Sequence, residues 1–466
     1  MVVMPKNCII CPRRNGSHEH TFPAVLGGRR TNKGIYCGLH NRKLGPLAAI
    51  LSDQLIAINA WLGVRPDHSG RPTQLIVENP VDGNNYVVTE RKIELAEPRI
   101  LKGTQMADGS RQVEAVFSSQ QQMQGWLAEQ RAAGNQVKIV GPRASGHSVF
   151  TDPYALHLTL GGPRGLQAVG YVALTFLAHY FPAIARQRGL KAFKDFVLGV
   201  TGTPLVWWDF DPPSGALPSQ RFRFGHRIVI GLSASRQEVC ARVSFFSTVN
   251  FAACLGPAKV DRDQTVVVDI DPLADRPPHD IRETSSGKLL APVIKLASLT
   301  AGLADEIRQG KAEDRFRLLL DNISDWVLDR TAGELLPQIN AARTFTAPMR
   351  QQRVREILAG QEQRVFNLIS HVVKGLKAQF LANPATAAIA SSLDLLIASD
   401  PNSLTGLTQV ASCALELGMG ALTAHISQQL DTGDMDLSLL RSLLGEGLGA
   451  AIVGRAAVQP WAMGLA

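Results

Sequence analysis

The clearest pattern in the chain is an apolar run between positions 38 and 62. Its members recur every three or four positions, which is the spacing of one face of an α-helix. The residues that define this face are Leu47, Ile50, Leu51, Leu55, Ile56 and Ile58. The pair Gly45-Pro46 predicts a break or restart, because proline removes a backbone donor. A turn-rich segment follows at 65–72, so we predict that residues 1–62 form a first domain.

Residues 73–285 combine strand patterns with helical ones. Alternation at 73–78 and 85–89 predicts a hairpin, and 166–198 is strongly helical. Four later segments predict successive strands of an antiparallel sheet: 222–232, 238–244, 249–255 and 265–270. We therefore expect a mixed α/β domain at 73–285.

The remaining residues, 286–466, carry apolar side chains at helical spacing and predict a helical domain. The five helical segments are 290–309, 312–329, 350–381, 385–398 and 436–454. The fold class predicted for the whole chain is α+β.

Composition agrees with a folded protein of several domains. The chain has 466 residues, of which 45% are hydrophobic, and this suffices for two or three domains with a sizeable core. Cys240, Cys254 and Cys413 stand alone in apolar or helical surroundings, which is typical of free thiols in a reducing cytoplasm. We predict a cytoplasmic protein.

No signal peptide or membrane span is expected. Lys6 follows an N-terminal stretch that is too short for the apolar region of a signal peptide. The most apolar run, 166–185, contains Gln167 and His179, and a buried helix explains it better than a membrane span. We expect no contact with a membrane.

The positive charge is concentrated at the N-terminus. Residues 1–50 have eight basic side chains and one acidic one, hence a net charge of +7, and the whole chain has +8. The other 416 residues together therefore carry only +1. Such a concentration is typical of a polyanion-binding surface, and the alternative is a solvated basic face.

Two carboxylate pairs are candidates for a divalent cation. They lie in the segments Asp209-Phe210-Asp211-Pro212 and Asp269-Ile270-Asp271-Pro272. Alternate side chains of a strand share one face, so each pair could bind a metal. Polar strand ends are the more common explanation.

Two pairs of soft ligands stand 26 residues apart near the N-terminus. Cys8 and Cys11 form the first pair, and Cys37 and His40 form the second with the same spacing. This pattern is typical of a structural, tetrahedral zinc site. Residues 1–45 contain few large apolar side chains, so a metal would stabilise a segment that lacks a core of its own. The alternatives are a zinc finger that only binds a nucleic acid or a protein, and a chance pairing.

Glu19-His20 lies between the two ligand pairs, and Asn41 follows the last ligand directly. With the four ligands, this order resembles the zinc-stapled form of the HNH endonuclease family over about the first 60 residues. The resemblance implies a ββα-metal fold, in which two short strands and a helix surround a second, catalytic divalent cation. The reaction that it implies is metal-assisted hydrolysis of DNA phosphodiesters. His40 stands where many relatives have cysteine, and zinc accepts either.

The resemblance also assigns roles. His20 matches the general base that activates the attacking water. Glu19 would bind the catalytic metal, although Glu19 and His18 could exchange roles. Asn41 matches the last position of the motif and would face the same metal, and an amide there favours Mg²⁺ or Mn²⁺ over catalytic zinc. Asn32 is the candidate for the asparagine that fixes the imidazole of the base.

Five basic residues lie close to these positions and are the predicted DNA-phosphate contacts. They are Arg29, Arg30, Lys33, Arg42 and Lys43. DNA is the expected partner, and RNA is a further possible substrate.

What the resemblance implies for the large remainder, 73–466, is recognition of the target or regulation of the nuclease. Such fusions suggest a prokaryotic restriction or phage-defence nuclease that a small-molecule or protein activator controls. One active site cuts one strand, so we expect nicking, or double-strand cleavage by a homodimer. The alternatives are a ligand-gated nuclease effector and a zinc-dependent nucleic-acid-binding protein without catalysis.

Overall fold

The computed structural model of the chain shows a mixed α/β protein. The residues that the structure describes are 7–67, 70–79, 83–90, 92–139, 149, 159–211, 222–274, 279–286, 303–384, 386–400 and 406–464.

The N-terminal segment consists of two short strands followed by a long helix. β1 (Glu19–His20) pairs antiparallel with β2 (Thr31–Asn32), and α1 spans Gly38–Leu62. A 3-10 turn connects the strands, and Gly28 is needed there because a Cβ would collide with the carbonyl oxygen of Phe22. The expected break at Gly45-Pro46 is wrong, since α1 runs through Pro46 without interruption. Pro46 is exposed, and the buried neighbours Leu44 and Leu47 keep the helix packed.

Two small sheets and one helix follow. β3 (Leu75–Glu78), β4 (Asn85–Val88) and β5 (Ile93–Leu95) form a three-stranded sheet that contains the predicted hairpin, whose turn lies partly outside the described residues. β6 (Arg99–Gln105) and β7 (Arg111–Val116) form a hairpin that the sequence reasoning missed. α2 spans Gln120–Ala132.

The predicted helical region at 166–198 is helical and consists of three helices. The long helix α3 (Gly162–Tyr180) ends before the proline that opens α4 (Pro182–Ala185), and α5 covers Lys191–Val197. Most of α3 is buried, which confirms the prediction of a buried helix at this apolar run. Gly189 lies in the connection to α5, where a Cβ would collide with the carbonyl oxygen of Pro257.

The main sheet has six antiparallel strands in the order β13-β12-β9-β10-β11-β8. The strands are β8 (Val206–Trp208), β9 (His226–Ser233), β10 (Glu238–Phe245), β11 (Val249–Pro257), β12 (Gln264–Ile270) and β13 (Asp280–Ser286). The four predicted strands are therefore confirmed, and the structure adds one at each edge. α3 packs against β8 to β11, and α1 packs against α3, so the N-terminal segment lies on the sheet through this helix.

The C-terminal part is helical, as predicted. Its helices are α6 (Leu303–Arg308), α7 (Lys311–Ala341), α8 (Ala347–Ile357), α9 (Glu362–Leu381), α10 (Ala387–Ala390), α11 (Gln409–Thr432), α12 (Leu437–Leu444) and α13 (Leu448–Ala462). α8, α9, α11 and α13 pack around a core that includes Phe366, Ile369, Leu422 and Val453.

The contacts divide the chain differently from the three predicted domains. One compact unit consists of Met1–Val77, Val87–Glu94 and Leu156–Ile323, and the other comprises Glu78–Tyr86, Leu95–Ala155 and Ser324–Ala466. The expected boundary after residue 62 does not separate two units, because the N-terminal segment shares a core with α3 and the main sheet. Phe22 illustrates this sharing, since its ring lies 6.3 Å from that of Phe176 and 6.1 Å from that of Phe245.

Two of the described helices are long and apolar enough to cross a membrane by length and composition, α1 and α11, and the bent pair α12–α13 could count as a third. The best 18-residue windows of α1 and α11 reach a mean hydropathy of only 1.2, and 44% and 50% of these windows are buried inside the fold. Among the described residues there is thus no clear membrane span. The expected absence of membrane contact stays a prediction.

Candidate metal centre

The first ligand pair lies on a tight turn at the N-terminus. The backbone amide of Cys8 donates to the carbonyl of Arg13 at 2.9 Å, and the amide of Ile10 points to the Cys8 sulfur at 3.5 Å. The amide of Ile9 donates to the carbonyl of Ile35 at 3.1 Å, which brings this turn beside the residues that lead into α1. The turn thus presents the sulfur of Cys8 towards the second pair.

The second ligand pair lies at the start of α1. Cys37 is the N-cap residue, and His40 follows in the first turn, where residues three positions apart share a face. Burial raises the pKa of Cys37, but hydrogen bonds from the backbone of His40 and from neighbouring thiols outweigh it, so the pKa lies below its usual value. Burial, with the charges of Lys43 and Arg13, lowers the pKa of His40. A thiolate and a neutral imidazole are the forms that bind zinc.

The four side chains form a compact cluster. The Cys11 and Cys37 sulfurs are 3.8 Å apart, and Nδ1 of His40 lies 3.3 Å from the Cys37 sulfur and 3.6 Å from the Cys8 sulfur. All four ligand atoms lie within 4.8 Å of one another. Tetrahedral zinc with bonds of about 2.3 Å to sulfur and 2.05 Å to nitrogen requires separations of about 3.5 to 3.8 Å. The cluster can therefore bind a metal ion such as zinc.

The rest of the unit anchors this cluster from outside. The guanidinium of Arg186, which follows α4, donates to the carbonyl of Asn7 at 2.6 Å and to that of Gly34 at 3.0 Å. The Tyr36 hydroxyl lies 3.0 Å from Oγ1 of Thr175 on α3. The residues before each ligand pair are thus held to the helical layer by polar contacts as well as by apolar packing.

His20 lies at the end of β1, and its side chain is about one-fifth exposed. Its Nε2 lies 3.2 Å from Oδ2 of Asp67, and the other carboxylate oxygen of Asp67 accepts from Arg29 at 3.1 Å. Burial raises the pKa of Asp67, but the hydrogen bonds with His20 and Arg29 outweigh it and hold the pKa below its usual value. Asp67 lies in the turn-rich segment 65–72, for which the sequence predicted no contact with His20. The neighbouring residue of the linker, His68, lies outside the described residues.

Asn41 lies in the first turn of α1, next to β1. Its Nδ2 donates to the backbone carbonyl of His18 at 3.3 Å, two residues before His20. Its Oδ1 is buried and has no hydrogen-bond partner among the described residues. The amide group of Asn41 therefore lies beside the backbone that leads into β1. A buried acceptor oxygen without a donor is suited to a hard cation.

Glu19 departs from the predicted role of metal ligand beside His20. It points to the opposite face of β1, where it is 9% exposed and accepts a hydrogen bond from the Tyr171 hydroxyl on α3. Burial raises the pKa of Glu19 to about 7, and the hydrogen bond from Tyr171 opposes this only in part. The carboxyl group belongs to the contact between β1 and α3.

We expect Glu19→Gln to change the pH dependence of stability. In the unfolded chain the carboxyl ionises near its ordinary pKa of 4.5, and in the folded chain it does so at about 7. Ionisation is therefore easier in the unfolded chain, and stability is lost as pH rises through this window, by about 3 kcal/mol in total. Between pH 6 and 8 the wild type should lose about 1 kcal/mol relative to the glutamine variant.

Urea unfolding of the zinc-loaded protein at several pH values measures this difference. Glu97→Gln, at an exposed glutamate, is the matched control and should follow the wild type. Parallel curves for wild type and Glu19→Gln would contradict the buried, protonated carboxyl.

Asn32 also departs from its predicted role. It pairs across the strands with Glu19, while His20 pairs with Thr31, so Asn32 lies on the face away from the His20 side chain. Its Nδ2 lies 2.8 Å from Nδ1 of His179, and its Oδ1 accepts from the amide of Gly34 at 2.6 Å. In the described structure Asp67, rather than Asn32, contacts the imidazole of His20.

The five predicted phosphate contacts fall into two groups. Arg29 is paired with Asp67, and Arg30 is paired with Asp280 at 2.9 Å. Lys33, Arg42 and Lys43 are exposed, and none of the three has an ion-pair partner among the described residues. These three remain available to a polyanion.

In each of the two carboxylate segments that were candidates for a divalent cation, one aspartate is paired with an arginine. Asp269 is paired with Arg227 through two hydrogen bonds of 2.6 and 2.7 Å, and Asp209 is paired with Arg242. Among the described residues, the cluster of Cys8, Cys11, Cys37 and His40 is the single group of three or more His, Cys, Asp and Glu side chains arranged for a metal.

The chain matches no protein-family model, no curated protein and no solved structure. Of the resemblance to HNH endonucleases, the structure supports the cluster of Cys8, Cys11, Cys37 and His40, which is positioned for a metal ion.

Proposed function

We propose that the protein is a metal-dependent DNA endonuclease of the HNH type. The observation that carries this proposal is the contact of Asn41 with the backbone of His18, beside His20 and directly after the zinc ligand His40. It joins the start of a helix to the first of two antiparallel strands. This is the strand, strand and helix order that the ββα-metal fold requires.

In this proposal His20 is the general base. The carboxylate of Asp67 accepts a hydrogen bond from Nε2–H, which leaves the lone pair of the neutral imidazole on Nδ1. A carboxylate in this position fixes the tautomer and the orientation of the ring and raises its basicity. Asp67 thus takes the positioning role that the sequence assigned to Asn32.

The residues present fit a catalytic Mg²⁺ or Mn²⁺ in part. Oδ1 of Asn41 is buried and has no donor among the described residues, and in this proposal the exposed His18 takes the role of metal ligand that was predicted for Glu19. Such cations keep several waters and need few protein ligands when substrate phosphate supplies the rest. When bound, the cation would stabilise the negative charge that develops on the phosphate. The site differs from the ligand set of the family in one respect, because Glu19 is buried against Tyr171 and is not available to bind the cation.

The substrate class follows from the charge. Lys33 directly follows β2, and Arg42 and Lys43 directly follow Asn41, and these three exposed residues give a segment of net charge +7 a basic surface. Such a surface attracts any nucleic acid through its phosphates, so both DNA and RNA fit. DNA is favoured by the resemblance to the family.

Replacing Lys33, Arg42 and Lys43 by alanine is expected to weaken DNA binding and its salt dependence. Each phosphate contact contributes about 0.9 to the slope of log affinity against log salt, so three lost contacts should lower the slope by about 2 to 3. Fluorescence anisotropy of labelled duplex DNA over a range of salt concentrations, with EDTA to prevent cleavage, measures this slope. Alanine at the exposed lysines Lys102, Lys138 and Lys259 gives the same change in charge as a control. Equal slopes for the two triple variants would contradict a local phosphate-binding surface.

We propose restriction or antiviral defence as the biological context and regulation as a role of residues 73–466. What supports regulation is the length of the chain, since cleavage itself needs few of its residues. Part of this remainder has a structural role, because α3 and the main sheet cover the apolar side of the N-terminal segment. An activator, a homodimer and a cytoplasmic location stay predictions.

A second function is favoured by specific observations. Glu19 contacts Tyr171 and Asn32 contacts His179, so neither has the role predicted for it beside His20. The described residues contain one cluster of His, Cys, Asp and Glu side chains suited to a metal. A zinc-dependent nucleic-acid-binding protein without catalysis would need only that cluster and the basic surface.

A plasmid-nicking assay with purified zinc-loaded protein tests the two functions. The endonuclease converts supercoiled plasmid to nicked or linear DNA with Mg²⁺ or Mn²⁺, and EDTA stops the reaction. A binding protein shifts the mobility of the plasmid but leaves it supercoiled under all three conditions, which would overturn the proposal of cleavage.

A further inference from the structure

A second pair of cysteines lies in the main sheet, far along the chain from the metal ligands. Cys240 on β10 is paired directly across the strands with Cys254 on β11. The register shifts between Val239 and Cys240, because Val239 pairs with Gly256 and leaves Leu255 as an extra residue. This β-bulge increases the local twist of the two strands next to the cysteines.

The two thiols lie on the same side of directly paired residues and differ in exposure. Cys240 is buried at 3% exposure, within a small apolar cluster that includes Val229 and Val267, whereas Cys254 is half-buried. Directly opposite residues of antiparallel strands have Cα atoms about 4.5 to 5.5 Å apart, and a disulfide accepts about 4.4 to 6.8 Å. A bond between the two sulfurs therefore needs side-chain rotation and little movement of the backbone.

We propose that Cys240 and Cys254 are a redox-active dithiol that closes to a cross-strand disulfide by exchange with a small-molecule disulfide such as oxidised glutathione. The proposal is independent of the zinc cluster and of DNA cleavage. It assigns a modification site to two residues that the sequence analysis predicted to be free thiols.

The exchange has two steps. The thiolate of Cys254 attacks one sulfur of the oxidant, forms a mixed disulfide and releases one thiolate of the oxidant. Cys240 then loses its proton and its sulfur attacks the Cys254 sulfur, which releases the second half of the oxidant as a thiol. Two cysteine thiols become one disulfide, and one molecule of the disulfide oxidant becomes two thiols.

The environment assigns these roles to the two cysteines. The hydrogen bond from Cys240 lowers the pKa of Cys254 to about 7, although burial opposes the shift. The same hydrogen bond, together with burial, raises the pKa of Cys240 well above its usual value. Cys254 is thus both the more accessible and the more readily ionised thiol, which suits it to the first attack.

Peptide mapping of the oxidised protein tests the proposal, because trypsin cleaves after Arg242 and separates the two cysteines. The zinc-loaded protein with Cys413→Ser, which removes the exposed thiol, is incubated with oxidised glutathione, alkylated and digested without a reductant. We expect the peptide 237–242 linked to 243–259, with a mass two hydrogens below the sum of the reduced peptides. Dithiothreitol should release both peptides.

Two single variants identify the attacking thiol. With Cys240→Ala, Cys254 should accumulate as the mixed disulfide with glutathione, and with Cys254→Ala, the buried Cys240 should stay reduced. The peptide map of the protein that retains both cysteines tests the proposal even if one of these variants fails to fold. Recovery of both peptides unlinked, while the same treatment links them in urea-unfolded protein, would overturn it.

Discussion

Replacing His20 by alanine is expected to lower DNA cleavage by about 100- to 10,000-fold, which is the usual contribution of a general base. The bound zinc should be unchanged, because His20 lies outside the cluster of Cys8, Cys11, Cys37 and His40. Plasmid cleavage rates and the zinc content per chain measure the two effects separately. His371→Ala is the matched control, since it removes a histidine whose side chain is about half exposed on α9.

A second substitution separates the base from the residue that orients it. Asp67→Asn keeps an acceptor for Nε2 of His20 but removes the negative charge that Arg29 also contacts. We expect an intermediate loss of about 10- to 100-fold, which is typical of the partner that orients a functional histidine. If His20→Ala cleaved DNA at the wild-type rate, His20 would not be the general base, and the proposed active site would be wrong.

The sequence predicted the elements that depend on local pattern. The apolar spacing of α1 and the four central strands of the main sheet needed no information about distant residues, and both are confirmed. The candidate metal cluster was predictable for a different reason. The chemistry of the metal requires two short pairs, and the spacing within each pair is visible in the sequence.

The surroundings of His20 could be predicted only in part. Glu19 is its neighbour in the sequence, but adjacent residues of a strand point to opposite faces, and this alternation could have excluded Glu19 as a partner of His20. Asp67 could not have been found in the same way. It lies 47 residues from His20 in a linker, and only the packing of the helical layer brings the linker back to β1.

The hairpin of β6 and β7 had a usable signal that the sequence reasoning passed over. Asp108-Gly109 stands between the two strands, and this dipeptide is among the strongest short-range indications of a hairpin. The edge strands β8 and β13 had none, because β8 has only three residues and β13 is rich in polar side chains. β8 and β13 are strands because they pair with β11 and β12.

Replacing Cys37 by serine is expected to abolish zinc binding and, indirectly, cleavage. A structural zinc site contributes about 10 to 16 kcal/mol in small zinc-finger peptides, which is comparable to the whole stability of a typical domain. Serine is a poor zinc ligand, and the backbone contacts that the turn of Cys8 and Cys11 makes with Ile35 and Arg186 supply no replacement ligand. We expect zinc to fall below one equivalent per chain in metal analysis.

The loss of order should be local, and this distinguishes Cys37→Ser from His20→Ala. We expect residues 7–41 to depend most on the metal, although Phe22 also contacts Phe176 of α3. The later turns of α1 bury Leu51, Leu55 and Ile58 in the core with α3. Hydrogen exchange should therefore lose protection in the N-terminal strands and retain it in the second half of α1. Cys413→Ser, at an exposed cysteine, is the control and should keep zinc, protection and cleavage. A Cys37→Ser protein that retained both zinc and N-terminal protection would contradict this prediction. It would show that binding of the metal by Cys37 is not what holds β1 against the start of α1, and the arrangement of His20 and Asn41 would need another explanation.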